Sequence, residues 1–493
     1  MLLLVMLGFA LFSRFFGITH ASPWMDEVVI LEEAFSGKYR TVSFSAHAAH
    51  LIPVSFFLRI FGQGELALRV WGALLGSLAV PLTMIVARHI ASRAVMIFAG
   101  VFMLANQFLI FYAQDGNYYG GMTFYTALQL LAMAWVARGI PHFGWLLWIL
   151  ASAISFKNHP ISIIPTALSG AMMATFCLIN SPTRNALFSI SWRSWIRRPA
   201  LPLLGVMVAG AMLVAGPRVP TLWKSFNDAF SPGASTLTNV EYGFPLFREH
   251  FASLMLNFYR HEGAWMDVAA MLPLILILFA LIGILLDRRL LKNQTIILFY
   301  SFSILIPCFS YFVLFGLKAN RNFNLRYFIF LVPPMTLLMA LAAGGIAVQQ
   351  LRIRRVRSLL ITAFLLATPS VYFSLRYLAA THPGYRQALA EVKPHLTPTS
   401  RVILATRNDR IESRYFFKQA NLPYTAPEVT FFNQPAYADL LGGGFPVWMQ
   451  GSRDTTIISG WRWVDAPTLW AHLQSGPPNS FRLTRSKLGP THD

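Results

Sequence analysis

The sequence predicts a polytopic α-helical membrane protein of about eleven transmembrane helices, closed by a small C-terminal α/β domain on the extracytoplasmic side. Three observations carry this. Of the 493 residues, 55% are hydrophobic and only 12% charged, about half the charged share of a soluble domain. The apolar residues come in long blocks rather than alternating with polar ones, which excludes a porin-like barrel. The basic residues of the membrane part gather in short loops on one side. A water-soluble globule and a disordered chain are both excluded by such a composition, with 41 Phe and 13 Trp.

A span needs about 20 apolar residues to cross roughly 30 Å of hydrocarbon. Eleven segments qualify: residues 2–18, 67–87, 94–112, 118–137, 143–156, 161–180, 201–217, 268–286, 295–317, 327–349 and 358–380. The first lacks a basic start and a small-residue cleavage site, so it reads as a span and not as a cleaved leader. The fifth is short and ends at Lys157-Asn158-His159-Pro160, which predicts a tilted or partial crossing. With the N-terminus inside, the inner loops are 88–93, 138–142, 181–200, 287–294 and 350–357. They hold 14 Lys and Arg against one acid, Asp287. The other 11 acids before residue 382 fall on the outer side, so carboxylate chemistry is expected there. A net charge of +20 would point to nucleic acid in a soluble protein. Here it reads as basic residues facing anionic headgroups.

Three segments are too polar to span. Residues 19–66 form a first outer loop, with amphipathic stretches Asp26–Phe35 and His50–Phe61 expected to lie along the interface. Residues 218–267 form a second outer loop. These belong to a membrane module, residues 1–381. The tail, residues 382–493, alternates helix-like stretches (386–392, 412–418) with strand-like ones (401–406, 447–449, 456–459), the pattern of a small α/β domain. The two cysteines, Cys177 and Cys308, sit in apolar blocks, so no disulfide framework is expected.

Three polar clusters stand at the outer ends of spans. Ser22-Pro23-Trp24-Met25-Asp26-Glu27 follows the first span. Adjacent carboxylates at membrane level are costly unless hydrated, paired or bound to metal, and in a first helical turn they also suit the helix dipole. Phe111-Tyr112-Ala113-Gln114-Asp115-Gly116-Asn117-Tyr118-Tyr119 ends the third span; it fits a turn in an aromatic belt or a polar site. Lys318-Ala319-Asn320-Arg321-Asn322-Phe323-Asn324-Leu325-Arg326-Tyr327 puts three cations in one outer loop, on the side where basic residues are expected to be scarce. Arginine forks match phosphate oxygens, whether on a substrate or on headgroups.

Taken in order, the clusters resemble the GT-C glycosyltransferases of the protein mannosyltransferase and aminoarabinose transferase type, glycosyltransferase family 39. Trp24-Met25-Asp26-Glu27 is similar to the family's Trp-x-Asp-Glu signature. His47-Ala48-Ala49-His50-Leu51 and Gly64-Glu65-Leu66-Ala67-Leu68-Arg69 resemble its His-Pro-Leu and Gly-x-Glu-x-x-x-Arg stretches. Phe111 to Asp115 resembles Tyr-Ser-Gln-Glu-Ala-Arg, and Arg326-Tyr327 with Pro333 resembles Arg-Tyr-x-x-Pro. The match covers about residues 1–350, and Gly384-Tyr385-Arg386 is similar to the opening of the soluble tail in some bacterial members. Departures are Asp115 for Glu, Gly116-Asn117 for Ala-Arg, and no proline after the histidine.

The resemblance implies a GT-C-like fold and an inverting transfer of a sugar from a polyprenyl-phosphate donor to an extracytoplasmic acceptor, which can be a glycan, lipid or protein. It implies catalytic carboxylates at Asp26, Glu27 and Asp115, with Asp26 as general base. Arg326, Arg321 and Lys318, then Lys157 and Arg260, are the candidates for the donor phosphate. His47, His50, Tyr112, Gln114 and Tyr118 are candidates for contacting the acceptor or a metal. A divalent cation, Mg²⁺ or Mn²⁺, fits carboxylate ligands, and two histidines one helical turn apart fit Zn²⁺ or Mn²⁺. Partners are the lipid-linked sugar, the acceptor and the bilayer, with no nucleic acid. The expected location is a bacterial cytoplasmic membrane, with the tail on the periplasmic side. Competing readings are a transporter or flippase for a lipid-linked or anionic solute, a non-catalytic scaffold of the same fold, and ligation of a whole lipid-linked glycan. The sequence shows no internal repeat and few mid-span charges to support a transporter.

Overall fold

The structure is a computed structural model. It describes residues 1–19, 25–36, 47–62, 64–179 and 325–350, together with four strand segments in the tail. The expected spans 201–217, 268–286, 295–317 and 358–380, the loop 218–267 and the tail helices lie outside the described residues. So do Lys318, Arg321 and Arg260.

The membrane part is an up-and-down set of helices: α1 (Leu2–Phe15), α2 (Met25–Ser36), α3 (Ala48–Phe61), α4 (Glu65–Ile90), α5 (Arg93–Ala105), α6 (Gln107–Gln114), α7 (Tyr119–Ala137), α8 (Pro141–Asn158), α9 (Ile163–Ile179) and α10 (Val332–Gln350). A 3₁₀ turn, Pro160–Ser162, leads into α9, and another, Leu325–Leu331, leads into α10. Among the described residues three helices are long and apolar enough to cross a membrane, and four if the bent pair α5–α6 counts as one span.

Three spans differ from their expected form. The first helix has 14 residues, about 21 Å at 1.5 Å per residue, and stops before residue 18. Phe16 turns extended and Gly17 takes a φ of 70°, a left-handed conformation that glycine adopts without strain. The expected span 94–112 is broken into α5 and α6, which meet at 54°. The break falls at Asn106, whose side chain accepts the Leu109 N–H at 3.0 Å and so starts α6 as an N-cap. One carbonyl beside the break, that of Met103, accepts from Arg14 Nη2 at 3.0 Å. The helix at the expected fifth span, α8, has 18 residues with Pro141 as its first helical residue, and it is not among the helices apolar enough to cross.

The core is continuous across α1, α4, α5, α6, α7 and α10, with Met6, Val80, Phe98, Phe108, Met122 and Leu338 buried in it. Small residues allow the central contacts. A Cβ on Gly120 would run into the backbone of Gly72, and one on Gly76 would stand 2.6 Å from Ala113 Cβ. Close backbone approach of this kind is how helices associate where no water drives them together.

Both amphipathic stretches are helices. In α3, His50, Leu51, Val54, Ser55 and Leu58 are buried, while Ile52, Phe56 and Ile60 point outward and are exposed. That outward stripe at i, i+4 and i+8 is an apolar face suited to lipid.

In the tail, β1 (Arg401–Ile403), β2 (Val447–Gln450), β3 (Asp454–Ile458) and β4 (Leu483–Ser486) form an antiparallel sheet in the order β1-β2-β3-β4. The register pairs Val402 with Trp448, Trp448 with Thr456, and Thr456 with Arg485. Three of these strands overlap the stretches expected from the sequence. The fourth, built on Leu-Thr-Arg-Ser, carried no alternating pattern long enough to be read.

Candidate functional site

The helix ends that meet at the site alternate in direction: C-terminal for α1, α6 and α8, N-terminal for α4, α7 and the turn before α10. Local sequence explains why polar groups gather there. Each of these ends leaves backbone groups without helical partners, and the chain supplies side chains to meet them. Gln114, for example, donates from Nε2 to the Phe16 carbonyl at 2.8 Å and the Ser13 carbonyl at 3.3 Å, closing the end of α1.

Asp26 and Glu27, adjacent in the first turn of α2, face two different arginines. Glu27 is sealed: its carboxylate is 1% exposed and its partner Arg69 3%. Arg69 donates to it in a fork, Nε to Oε1 at 2.7 Å and Nη2 to Oε2 at 2.8 Å. The third guanidinium nitrogen donates to the Ile18 carbonyl at 2.7 Å, and the Gly116 N–H donates to Glu27 Oε1 at 2.7 Å. This pair staples α2, α4, the end of α1 and the α6–α7 turn. Asp115 and Glu65 add their fields at Arg69.

Asp26 is half-open. Its Oδ2 pairs with Arg326 Nη2 at 2.8 Å, with the side chains 25% and 11% exposed. Burial pushes the Asp26 carboxyl above the ordinary aspartate range; Arg326 pulls it back, and Glu27 pushes it up further. The Arg326 guanidinium lies 5.8 Å from the centre of the Tyr119 ring and 5.6 Å from that of Tyr327, within cation–π range. Tyr112 also lies within electrostatic reach of it, in edge contact with Tyr119 at 4.9 Å.

A column of rings forms the adjoining wall. His47 stacks on Tyr118 at 4.6 Å, Tyr118 on His159 at 4.3 Å, and His159 on Tyr327 at 5.7 Å. The phenol of Tyr118 lies within reach of Asp26, Arg326 and Tyr327. Asn158 holds the column from behind. Its Nδ2 donates to the Tyr118 carbonyl at 2.8 Å, and its own carbonyl accepts from His47 Nδ1 at 2.9 Å. Gly121 is required there, because a Cβ would stand 2.5 Å from Asn158 Oδ1.

Among the sequence candidates, Asp26 and Arg326 pair, Tyr118 lies within reach of both and stacks on His47, and Tyr112 meets the Tyr119 ring beside Arg326. Glu27, Gln114 and His50 are built into the walls. His50 is fully buried with Nε2 2.9 Å from the Gly116 carbonyl, and burial lowers its pKa to about 4, so it is neutral. Asp115 is buried, and Asn117 Nδ2 donates to its Oδ1 at 2.7 Å. Lys157 is buried at the end of α8, one residue before Asn158. Arg69, Tyr119, Asn158, His159 and Tyr327 were not singled out as site residues. Arg69 and Tyr327 lay inside quoted motifs, Tyr119 inside the polar cluster 111–119, and Asn158 and His159 at the polar end of the expected fifth span.

Among the described residues no three His, Cys, Asp or Glu side chains are arranged to hold a metal. Glu27 is turned toward Arg69 and Gly116, and the hydrogen-bonded nitrogens of His47 and His50 serve two different carbonyls. The departures at 116 and 117 have a local cause. A Cβ on Gly116 would overlap Leu68 and lie 2.9 Å from Glu27 Oε1, and Asn117 is spent on Asp115.

The described part holds several apolar helices, and likeness to solved structures gives it the GT-C fold, as the motifs implied. Its fold is similar to that of ArnT from Cupriavidus metallidurans in the apo state, with a TM-score of 0.52 and 16% identity over 87% of this chain and 86% of that one. The crystal structure of the same ArnT bound to undecaprenyl phosphate matches at a TM-score of 0.51, with 16% identity over 84% of each chain. A crystal structure of the Archaeoglobus fulgidus oligosaccharyltransferase with Zn and sulfate has a TM-score of 0.47 and 14% identity, over 88% of this chain and 59% of that one. No protein-family model and no curated protein sequence matches the chain.

Proposed function

We propose that this protein is an inverting glycosyltransferase that moves a sugar from a polyprenyl-phosphate donor to an extracytoplasmic acceptor. The observation that carries the reading is the half-open Asp26–Arg326 pair at the mouth of a phenol-lined site, beside a fully sealed Glu27–Arg69 pair. A base and a phosphate-seeking cation stand side by side, and both are reachable. The fold shared with a protein crystallised with undecaprenyl phosphate supports the class of donor.

In this reading the acceptor hydroxyl attacks the anomeric carbon from the face opposite the phosphate. The bond from that carbon to the phosphate oxygen breaks, its electron pair leaving with the lipid phosphate. The hydroxyl proton passes to Asp26 as general base. Negative charge grows on the leaving phosphate, where Arg326 acts as the electrostatic anchor. Arg321, Lys318, Lys157 and Arg260 are further candidates for the same charge. Glu27 and Asp115 act as positioning residues, and His47, Tyr112 and Tyr118 as the wall against which the acceptor or sugar rests. His50 and Gln114 keep that wall in place.

The test is incubation of purified protein with radiolabelled polyprenyl-phosphate sugars and a membrane extract, following release of label from the lipid. Asp26→Asn should abolish release. Full activity in that variant would remove Asp26 from the chemistry, and no release from any such lipid would remove the donor class.

A further inference from the structure

The two neighbouring carboxylates hold their arginines in opposite ways. Glu27 and Arg69 share two bonds, are almost wholly buried, and are tied to two backbone groups besides. Removing one member of such a pair strands a buried charge. Asp26 Oδ2 meets Arg326 Nη2 at 2.8 Å, and this pair is less closed than the other, with Asp26 25% and Arg326 11% exposed. One arginine is thus locked and the other is exchangeable, although their acids are adjacent in the chain.

We propose that Asp26 occupies Arg326 in place of the donor phosphate, and that the lipid phosphate, on binding, takes Arg326 over and releases the Asp26 carboxylate toward the acceptor. The proposal rests on the function proposed above and adds an order to it: the base becomes available only when the donor is seated. Geometry favours the exchange. Arg326 lies between the Tyr119 and Tyr327 rings, which can carry the guanidinium while its anionic partner changes. Among the described residues, the charged and titratable groups acting on Asp26 are Arg326 from the turn before α10, Glu27 from its own helix and Tyr118 from the start of α7. Losing Arg326 leaves Asp26 beside Glu27, which strengthens it as a base. The exchange also grows through the reaction, since the donor diester carries one charge and the departing monoester up to two.

Competition of this kind has a measurable sign. The probe is polyprenyl phosphate without sugar, titrated into the full chain in neutral detergent. Asp26→Asn should bind it tighter than the wild type, by about two- to fivefold, the scale of a partly exposed pair. In an Arg326→Gln background, where binding is weaker, the same Asp26 substitution should change nothing. A gain that persists without Arg326 would be a general charge effect and would overturn the exchange. So would unchanged or weaker binding by Asp26→Asn. Failure of the wild type to bind the probe at all would instead overturn the proposed donor class. Lowering pH gives a second readout that needs no altered fold: protonating Asp26 should favour the probe in the wild type relative to Asp26→Asn, and parallel pH profiles for the two would also overturn the exchange.

Discussion

Gly116→Ala tests whether the α6–α7 turn is as tight as the structure requires. The added methyl would overlap Leu68 at Cγ, stand 2.8 Å from its Cδ2 and 2.9 Å from Glu27 Oε1. Leu68 is fully buried and belongs to a cluster with Leu51, Val54 and Ala67, so it cannot simply swing away. Inserting a methyl into a filled site of this kind costs about 1–3 kcal/mol. The shift that relieves it moves either Leu68 or the Gly116 N–H that donates to Glu27, so the staple between α2 and α4 should loosen as well. Leu68→Ala makes room, at a cavity cost of about 2–5 kcal/mol by itself. The double variant should then be less destabilised than the sum of the singles, with a coupling of about 0.5–3 kcal/mol. Unfolding of the four proteins in detergent, followed by the loss of native tryptophan fluorescence, closes the cycle. Additive costs, or a Gly116→Ala protein as stable as the wild type, would show that the turn is looser than described. That result would also leave the glycine unexplained at a place where the resembling family has alanine.

Other consequences are more direct. Glu27→Gln leaves Arg69 charged and buried without its carboxylate, so it should lose about 3–5 kcal/mol; near-native unfolding would mean the pair is not the staple it is drawn to be. The acid limb of kcat/KM should lie above the ordinary aspartate pKa of about 3.9, because burial raises Asp26 and the base must be ionised. The linked stability has the opposite sense: the contribution from this raised group is complete below the unfolded pKa and is lost as pH rises through the folded one. A transfer–pH profile whose acid limb sits at or below the ordinary value would contradict the burial. Asn158→Ala removes the donor to the Tyr118 carbonyl and should cost about 1–3 kcal/mol. By loosening the His47–Tyr118–His159 column it should raise the donor KM more than it lowers kcat, and the reverse pattern would separate that column from binding.

Much of the membrane part was legible because apolar blocks and flanking cations are local features. Residues 67–87, 161–180 and 327–349 read as spans, and helices long and apolar enough to cross a membrane stand there, Glu65–Ile90, Pro160–Leu178 and Arg326–Gly344. What misled were local events that leave composition untouched. Asn106 caps a new helix within an apolar run, and Gly17 ends α1 early. The strand at 483–486 is too short to show a period.

For the site, the sequence by itself determined which residue types lie at one set of helix ends and in what order, since helices of alternating direction bring every second loop to the same side. Asp26, Asp115 and Arg326 were therefore candidates for one neighbourhood before any coordinates. Only the tertiary structure decided which acid faces which arginine. Asp26 and Glu27 are adjacent and alike in charge, yet successive residues on a helix point about 100° apart. One turns into the gap closed by Arg69 and Gly116 and becomes structure; the other turns toward Arg326 and the opening. That division depends on packing between α2, α4 and the α6–α7 turn, and it is written in no single stretch of the chain.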